Sequence, residues 1–211
     1  MERIAPDGTA LGAVLVIHSW WGLTDSFRDY GAALARQGFV VGLADLFDGR
    51  TARTQAAARA LRAAPRRVPI YRRLEACLTD LRHAAPGAGL AVAGFSMGGH
   101  WAVWLAQRAE YDLSAAILYY AARGGDFGRS TARFLAHFAA EDPWVRPAAR
   151  QRMERAIAAA GRPYRAFDYP DTGHWFAESA RPADYRSEAA RLALRRDAAF
   201  LRAALGPGAG A

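Results

Sequence analysis

The sequence predicts an α/β fold, with a mostly parallel central sheet and helices on both faces. Three observations carry this prediction. Short apolar runs alternate with segments of helical periodicity along nearly the whole chain, the pattern that specifies a parallel sheet covered by helices. The first of these runs, Ala13 to Ile17, is apolar without interruption, as suits a strand buried on both sides. A glycine-rich turn, Gly94 to Gly99, falls between a predicted strand and a predicted helix.

The elements follow in order. The first ten residues are turn-rich and hold at most a short edge strand. After Ala13 to Ile17, a helix is predicted from Asp25 to Gln37, because Phe27, Tyr30 and Leu34 share a face and Gly38 supplies the stop. Phe39 to Ala44 is the next strand. Residues Thr51 to His83 read as one helical stretch broken near Pro65 to Pro69, and its second part carries the stripe Ile70, Leu74, Cys77, Leu78 and Leu81. Leu90 to Ala93 is a short strand and Met97 to Arg108 a helix. Ala115 to Tyr120 and Phe134 to Ala139 are further strands. Pro147 opens a helix reaching Ala160, since proline is tolerated in a first helical turn. Tyr164 to Tyr169 is the last strand. The final helix is predicted from Ala183 to Leu205, with Ala190, Leu194, Ala198, Leu201 and Leu205 on one face. One domain is expected over residues 1–205, with a disordered tail over residues 206–211.

Composition narrows the function. A chain of 211 residues suits one α/β core with one site. A 52% hydrophobic and 23% charged composition is that of a globular protein. No apolar run approaches the roughly 20 residues that span a bilayer, and the first residues lack the apolar region of a signal peptide. The expected location is therefore the cytoplasm, with no membrane partner. Cys77 is the only cysteine, which rules out an internal disulfide, and its place on the apolar stripe marks it as core. The formal charge of +8 comes from arginine alone. The arginines between Arg50 and Arg82 are interrupted by apolar residues at helical spacing, so they read as solvated helix faces and not as a nucleic-acid surface.

Gly94-Phe95-Ser96-Met97-Gly98-Gly99 is a G-x-S-x-G sequence in its required strand-turn-helix setting. The tight turn lifts the serine hydroxyl above the sheet edge, and the flanking glycines avoid collision with neighbouring backbone. The alternative is a glycine-rich turn with an accidental serine. Ser96 needs a base to take its proton, and that base needs an orienting acid. His174, after the last strand, and Asp142, after the strand Phe134 to Ala139, supply both in the Ser, Asp, His order of the α/β-hydrolase fold. Each lies just past the carboxyl end of a predicted strand, where open α/β sheets collect ligands. Glu141 is the rival to Asp142; Pro143, which makes a sharp turn there, favours Asp142. Asp168 and Asp171 rank behind both.

An oxyanion hole in this fold takes the amide after the nucleophile and one from the loop after an early strand. These are Met97 and Trp20, the latter within His18-Ser19-Trp20-Trp21-Gly22. His18, His83, His100 and His137 are not spaced as metal ligands, so no metal is expected. Trp20, Trp21, Trp144 and Trp175 lie on loops expected to surround Ser96, and Tyr120 ends a nearby strand. They suggest a substrate site for an apolar or aromatic group, built from Trp21, Tyr120, Trp144 and Trp175, with Arg123 as a candidate cation. The alternative is that these rings only roof the core.

Together these residues resemble the dienelactone hydrolase family. The resemblance runs through the His18 to Gly22 loop, Asp45-Leu46-Phe47, the Gly94 to Gly99 turn, Asp142-Pro143-Trp144-Val145 and Gly173-His174. It implies Ser96 as nucleophile, Asp142 as acid and His174 as base. Three departures stand out. The family's best-known members carry a cysteine where this chain has Ser96, and a glutamate that helps control that thiol where this chain has Ser19. They also use an arginine to hold a substrate carboxylate four residues past the histidine, where this chain has Glu178. The last departure disfavours an anionic dienelactone unless Arg123, or an arginine of the 50–67 stretch, takes that place.

The expectation is a cofactor-free serine esterase or lactonase acting on a small molecule through an acyl-enzyme. The same intermediate would serve an acyl transferase or cyclase, and a noncatalytic ligand-binding member of the fold is the alternative from another class. A homodimer is compatible with the sequence. Whether residues 51–83 form a lid is left open.

Overall fold

The structure, a computed structural model, describes residues 1–64 and 68–206. The chain runs β1 (Glu2–Ile4), β2 (Gly12–Ile17), α1 (Asp25–Ala35), β3 (Phe39–Ala44), α2 (Gln55–Ala63), α3 (Ile70–Ala84) and β4 (Leu90–Phe95). It continues with α4 (Met97–Ala106), a 3₁₀ turn, β5 (Ala115–Tyr119), β6 (Arg133–Glu141), α5 (Pro147–Ala159), β7 (Tyr164–Gly173) and α6 (Ser187–Leu205). The strands form one sheet in the order β1-β3-β2-β4-β5-β6-β7. Only the edge strand β1 is antiparallel to its neighbour; the other pairs are parallel.

Alternation along the buried strands divides the interior into two layers. Ala13, Leu15 and Ile17 of β2 join Val92 of β4 and Leu118 of β5 beneath Leu74 and Leu81 of α3, Val103 of α4, and Met153 and Ile157 of α5. Val14 and Val16, one residue out of phase, face Phe27 and Leu34 of α1 and Leu201 of α6. Apart from Ala13, each such side chain contributes roughly 1.5–3 kcal/mol by leaving water. Cys77 is buried in the first layer, as its stripe requires, and burial raises its thiol pKa.

The differences from the sequence expectation lie at element ends. The break predicted near Pro65 to Pro69 separates α2 from α3, although residues 65–67 fall outside the described residues. Most of the expected tail, residues 207–211, also lies outside them. Helix α6 starts at Ser187 and not at Ala183, because the Asp184 and Tyr185 amides donate to the Arg181 carbonyl and the Arg186 amide to that of Phe176. These bonds close a turn where a helix was expected.

Strands β6 and β7 run further than their apolar runs. Sheet-edge strand β7 tolerates the polar residues Asp168 and Asp171, and Pro170, which lacks an amide to pair. After an irregularity between Ala139 and Glu141, Glu141 is again the register partner of Gly173. The next residue on each strand, Asp142 and His174, therefore leaves the sheet at the same level.

Candidate active site

Ser96 occupies the turn between β4 and α4 with φ 51° and ψ −111°, a conformation that non-glycine residues rarely adopt. Such strain costs of order 1–3 kcal/mol and persists only where the surroundings enforce it. Here the crowding is visible: a Cβ on Gly94 would lie 2.3 Å from the Gly98 carbonyl oxygen, and one on Gly98 would lie 2.2 Å from that of Ile17. The Ser96 amide donates to the Tyr119 carbonyl at 3.0 Å, which fixes the turn to β5.

Ser96 Oγ is 2.8 Å from His174 Nε2, and His174 Nδ1 is 2.7 Å from Asp142 Oδ2. With Nδ1–H donating to the carboxyl group, Nε2 is left with a lone pair that can accept the hydrogen bond of the Ser96 hydroxyl. The other oxygen of Asp142 accepts the amides of Trp144 at 2.8 Å and Val145 at 3.1 Å, so the turn at Pro143 holds this carboxyl group in place. Glu141 is the last strand residue and takes no part in this chain of bonds. His174 and Asp142 side chains are 4% and 6% exposed, which keeps water from competing for these bonds.

The amides of Met97, at the start of α4, and Trp20, in the loop after β2, donate to no acceptor among the described residues. Met97 also stands at a helix N-terminus, where partial positive charge favours an anion.

A cavity of about 570 Å³ opens over Ser96 and is walled by Trp20, Trp101, Trp144, Trp175, Ile70 and Met97. Arg62, His100, Arg123 and His174 complete it, and among the described residues no acidic side chain lines it. The buried indole nitrogens of Trp20 and Trp175 have no hydrogen-bond partner among the described residues. Partial burial, with Arg108 nearby, lowers the Arg123 guanidinium from its ordinary value, yet it stays a cation.

Of the residues expected to hold substrate, Trp144, Trp175 and Arg123 line this cavity, whereas Trp21 and Tyr120 do not. Trp21 is turned behind Trp20 and Trp175, with Arg181 over its ring at 4.0 Å, and lines a separate cavity. Tyr120 is fully buried beneath the site, with its ring 4.8 Å from that of His174, because its hydroxyl reaches inward to Glu178. Sequence reasoning missed Trp101 and Ile70 in the wall. Trp101 was readable in principle, since Met97 and Trp101 are four apart on one helix. Ile70 and Arg62 come from the segment between β3 and β4, which no local pattern aims at Ser96.

Glu178 is 1% exposed and does not face the cavity over Ser96. Ser19 Oγ donates to its Oε2 and Tyr120 OH to its Oε1, both at 2.8 Å. The carboxyl group missing at position 19 is thus brought to Ser19 from position 178. Burial pushes its pKa up to about 7 against the hydrogen bonds from Ser19 and Tyr120 and the nearby Arg181. The remaining histidines within the core are occupied: His18 Nε2 accepts the Leu46 amide, and His137 bonds Asp197 and Tyr169. Among the described residues no group of three or more His, Cys, Asp or Glu side chains is arranged to hold a metal ion, and no helix is long and apolar enough to cross a membrane.

The model of the dienelactone hydrolase family matches residues 3–205. The chain belongs to the dienelactone hydrolase family. Its fold is shared with a dienelactone hydrolase-like promiscuous phosphotriesterase from metagenomic libraries, at 19% identity and a TM-score of 0.81 over 95% of this chain and 89% of that one. It is also similar to esterase 2 of Thermogutta terrifontis phosphonylated by cyclosarin, at 15% identity and a TM-score of 0.70 over 97% and 89% of the two chains. A third similar structure is esterase PE8, at 17% identity and 0.69 over 97% and 98%. No curated protein sequence matches the chain. As a dienelactone hydrolase family member with an α/β-hydrolase fold, it is supported as a hydrolase of ester type.

Proposed function

We propose that this dienelactone hydrolase family member is a serine hydrolase of carboxylic esters or lactones. The observation that carries the reading is the unbroken hydrogen-bond chain from Ser96 Oγ through His174 to Asp142. Ser96 attacks the carbonyl carbon as its proton passes to His174 Nε2, and Asp142 steadies the imidazolium that forms. The carbonyl oxygen, now negative, is held by the Met97 and Trp20 amides. As the intermediate collapses, the C–O bond breaks, His174 returns the proton to the leaving alkoxide, and an acyl-Ser96 remains. Water, deprotonated by His174, then adds to the acyl carbon; the bond from that carbon to Ser96 Oγ breaks, His174 returns the proton to Ser96, and the carboxylic acid leaves.

The cavity's indole walls favour an aromatic or apolar body on the substrate. Arg123 adds a place for an anionic group, and the carboxyl of Glu178 does not oppose it because it is turned into the core.

Incubation with a fluorophosphonate followed by peptide mapping tests the reading. Ser96 should be the modified residue, and Ser96→Ala should abolish both labelling and turnover on a panel of aryl esters and lactones. A folded wild-type protein that neither labels nor hydrolyses any of them would favour a noncatalytic binder. Labelling without hydrolysis, relieved by an added alcohol or amine acceptor, would favour acyl transfer.

A further inference from the structure

Glu178 is a buried carboxyl group that the mechanism above does not use. Its two oxygens face donors from two separate parts of the site, Ser19 Oγ and Tyr120 OH. Ser19 immediately precedes Trp20, whose amide is assigned to the oxyanion, and Ser19 Oγ also accepts the Trp21 amide at 3.4 Å. Tyr120 packs its ring against that of His174 and follows Tyr119, whose carbonyl accepts the Ser96 amide. Tyr120 itself is held at φ 38°, a strained value for a bulky residue. One carboxyl group therefore reaches the oxyanion loop and the base through a single side chain each.

We propose that Glu178 is a positioning residue, whose carboxylate clamps Ser19 and Tyr120 so that the Trp20 amide and the His174 ring keep the relative placement the tetrahedral intermediate requires. The inference rests on the ester-hydrolase reading. The ionised form accepts from both hydroxyls at full strength. Once protonated, one oxygen becomes a donor and a much weaker acceptor, so the hydrogen bond at that oxygen loosens.

The charged and titratable groups around Glu178 are Arg181 and Asp184 on its own loop, and His174 and Asp142 beyond Tyr120. Asp25, Arg28 and Arg53 line, together with Glu178 and Trp21, the separate cavity that does not contain Ser96. Among these effects burial dominates and holds the carboxyl proton until about pH 7. The clamp forms as pH rises through that value.

The test measures kcat and KM on an aryl ester from about pH 5 to 9 for wild type, Glu178→Gln and Tyr120→Phe, with fluorophosphonate labelling of Ser96 alongside. In the wild type the acid limb of kcat should contain an ionisation near pH 7 that is absent from Glu178→Gln. That variant should lose roughly tenfold in kcat at alkaline pH, with KM within about twofold of wild type, as for an interaction made only in the transition state. Tyr120→Phe keeps the ring against His174 but removes a hydrogen bond that favours the carboxylate, so the limb should move to higher pH. A role in packing alone would lower activity without moving the limb. The proposal is overturned if Glu178→Gln keeps the wild-type kcat and limb, or if Tyr120→Phe leaves the limb in place. Should Glu178→Gln fail to fold, Tyr120→Phe decides by the direction of its limb. A wild type that neither labels nor turns over defeats the hydrolase reading, whereas an active wild type with unmoved limbs defeats only the clamp.

Discussion

Asp142 and His174 meet because the residues before them, Glu141 and Gly173, are register partners on adjacent parallel strands. The 2.7 Å bond between Nδ1 and Oδ2 is thus a product of sheet register, completed by the two amides that hold the other carboxyl oxygen. Asp142→Asn should keep the fold but lower kcat by about 10⁴, since the amide no longer holds the imidazole in the required tautomer. Glu141→Gln should stay near wild-type activity. Steady-state hydrolysis of one aryl ester by both variants checks this, and the reverse ranking would reassign the acid.

The cavity wall gives a separable prediction about substrate choice. Trp144 is 45% exposed, so its removal leaves the core intact. Trp144→Ala should raise KM for aryl esters roughly tenfold and change KM for acetyl esters of small alcohols much less. Arg123→Gln should weaken a carboxylate-bearing ester by roughly tenfold while sparing its neutral analogue, because it removes a charge-assisted hydrogen bond. Equal losses on the charged and neutral esters would show that Arg123 acts through the fold.

Glu178 links stability to pH with an unusual sign. Its carboxyl pKa rises from 4.5 to about 7 on folding, so the folded state holds the proton more tightly than the unfolded one. Stability from this group is full below about pH 4.5 and is lost as pH rises through about 7. At 1.36 kcal/mol per pH unit, the total is about 3 kcal/mol. Urea midpoints of wild type and Glu178→Gln, compared across this range, should diverge accordingly, with the wild type losing ground to the variant as pH rises. Parallel curves would contradict the assignment.

A second buried network joins α6 to the sheet. Asp197, fully buried, faces His137 Nε2 at 2.7 Å and accepts the hydroxyls of Tyr30 at 2.9 Å and Tyr119, while His137 Nδ1 meets Tyr169 OH at 2.7 Å. Asp197→Ala leaves these donors without an acceptor and should cost roughly 3–5 kcal/mol, a fall in Tm of about 10 °C. Calorimetry measures this directly, and a change under about 1 kcal/mol would mean that water replaces the carboxyl group.

Different parts of this protein were legible in the sequence to different degrees, for physical reasons. Strand β2, helix α3 and the turn at Ser96 were plain because apolar periodicity and the demand for glycine at close backbone approach are local. Strand β7 was underestimated because its last residues are polar and sit at a sheet edge, where pairing and not apolar character sets its length. Trp21 and Tyr120 were expected to hold substrate but do not line the cavity over Ser96, since adjacent loop residues such as Trp20 and Trp21 point to different sides of the same loop and the Tyr120 hydroxyl bonds Glu178 in the core.

The sequence by itself determined the alternation of strands and helices and the Gly94 to Gly99 turn, because each depends on residues close together in the chain, and it set the order in which Ser96, Asp142 and His174 follow predicted strands. Tertiary structure alone decided that Glu178 meets Ser19 and Tyr120, that Ile70 and Arg62 reach the cavity over Ser96, and that Asp197 gathers three donors from distant strands and helices. Such contacts depend on how packed layers aim their side chains, and no local periodicity encodes that direction.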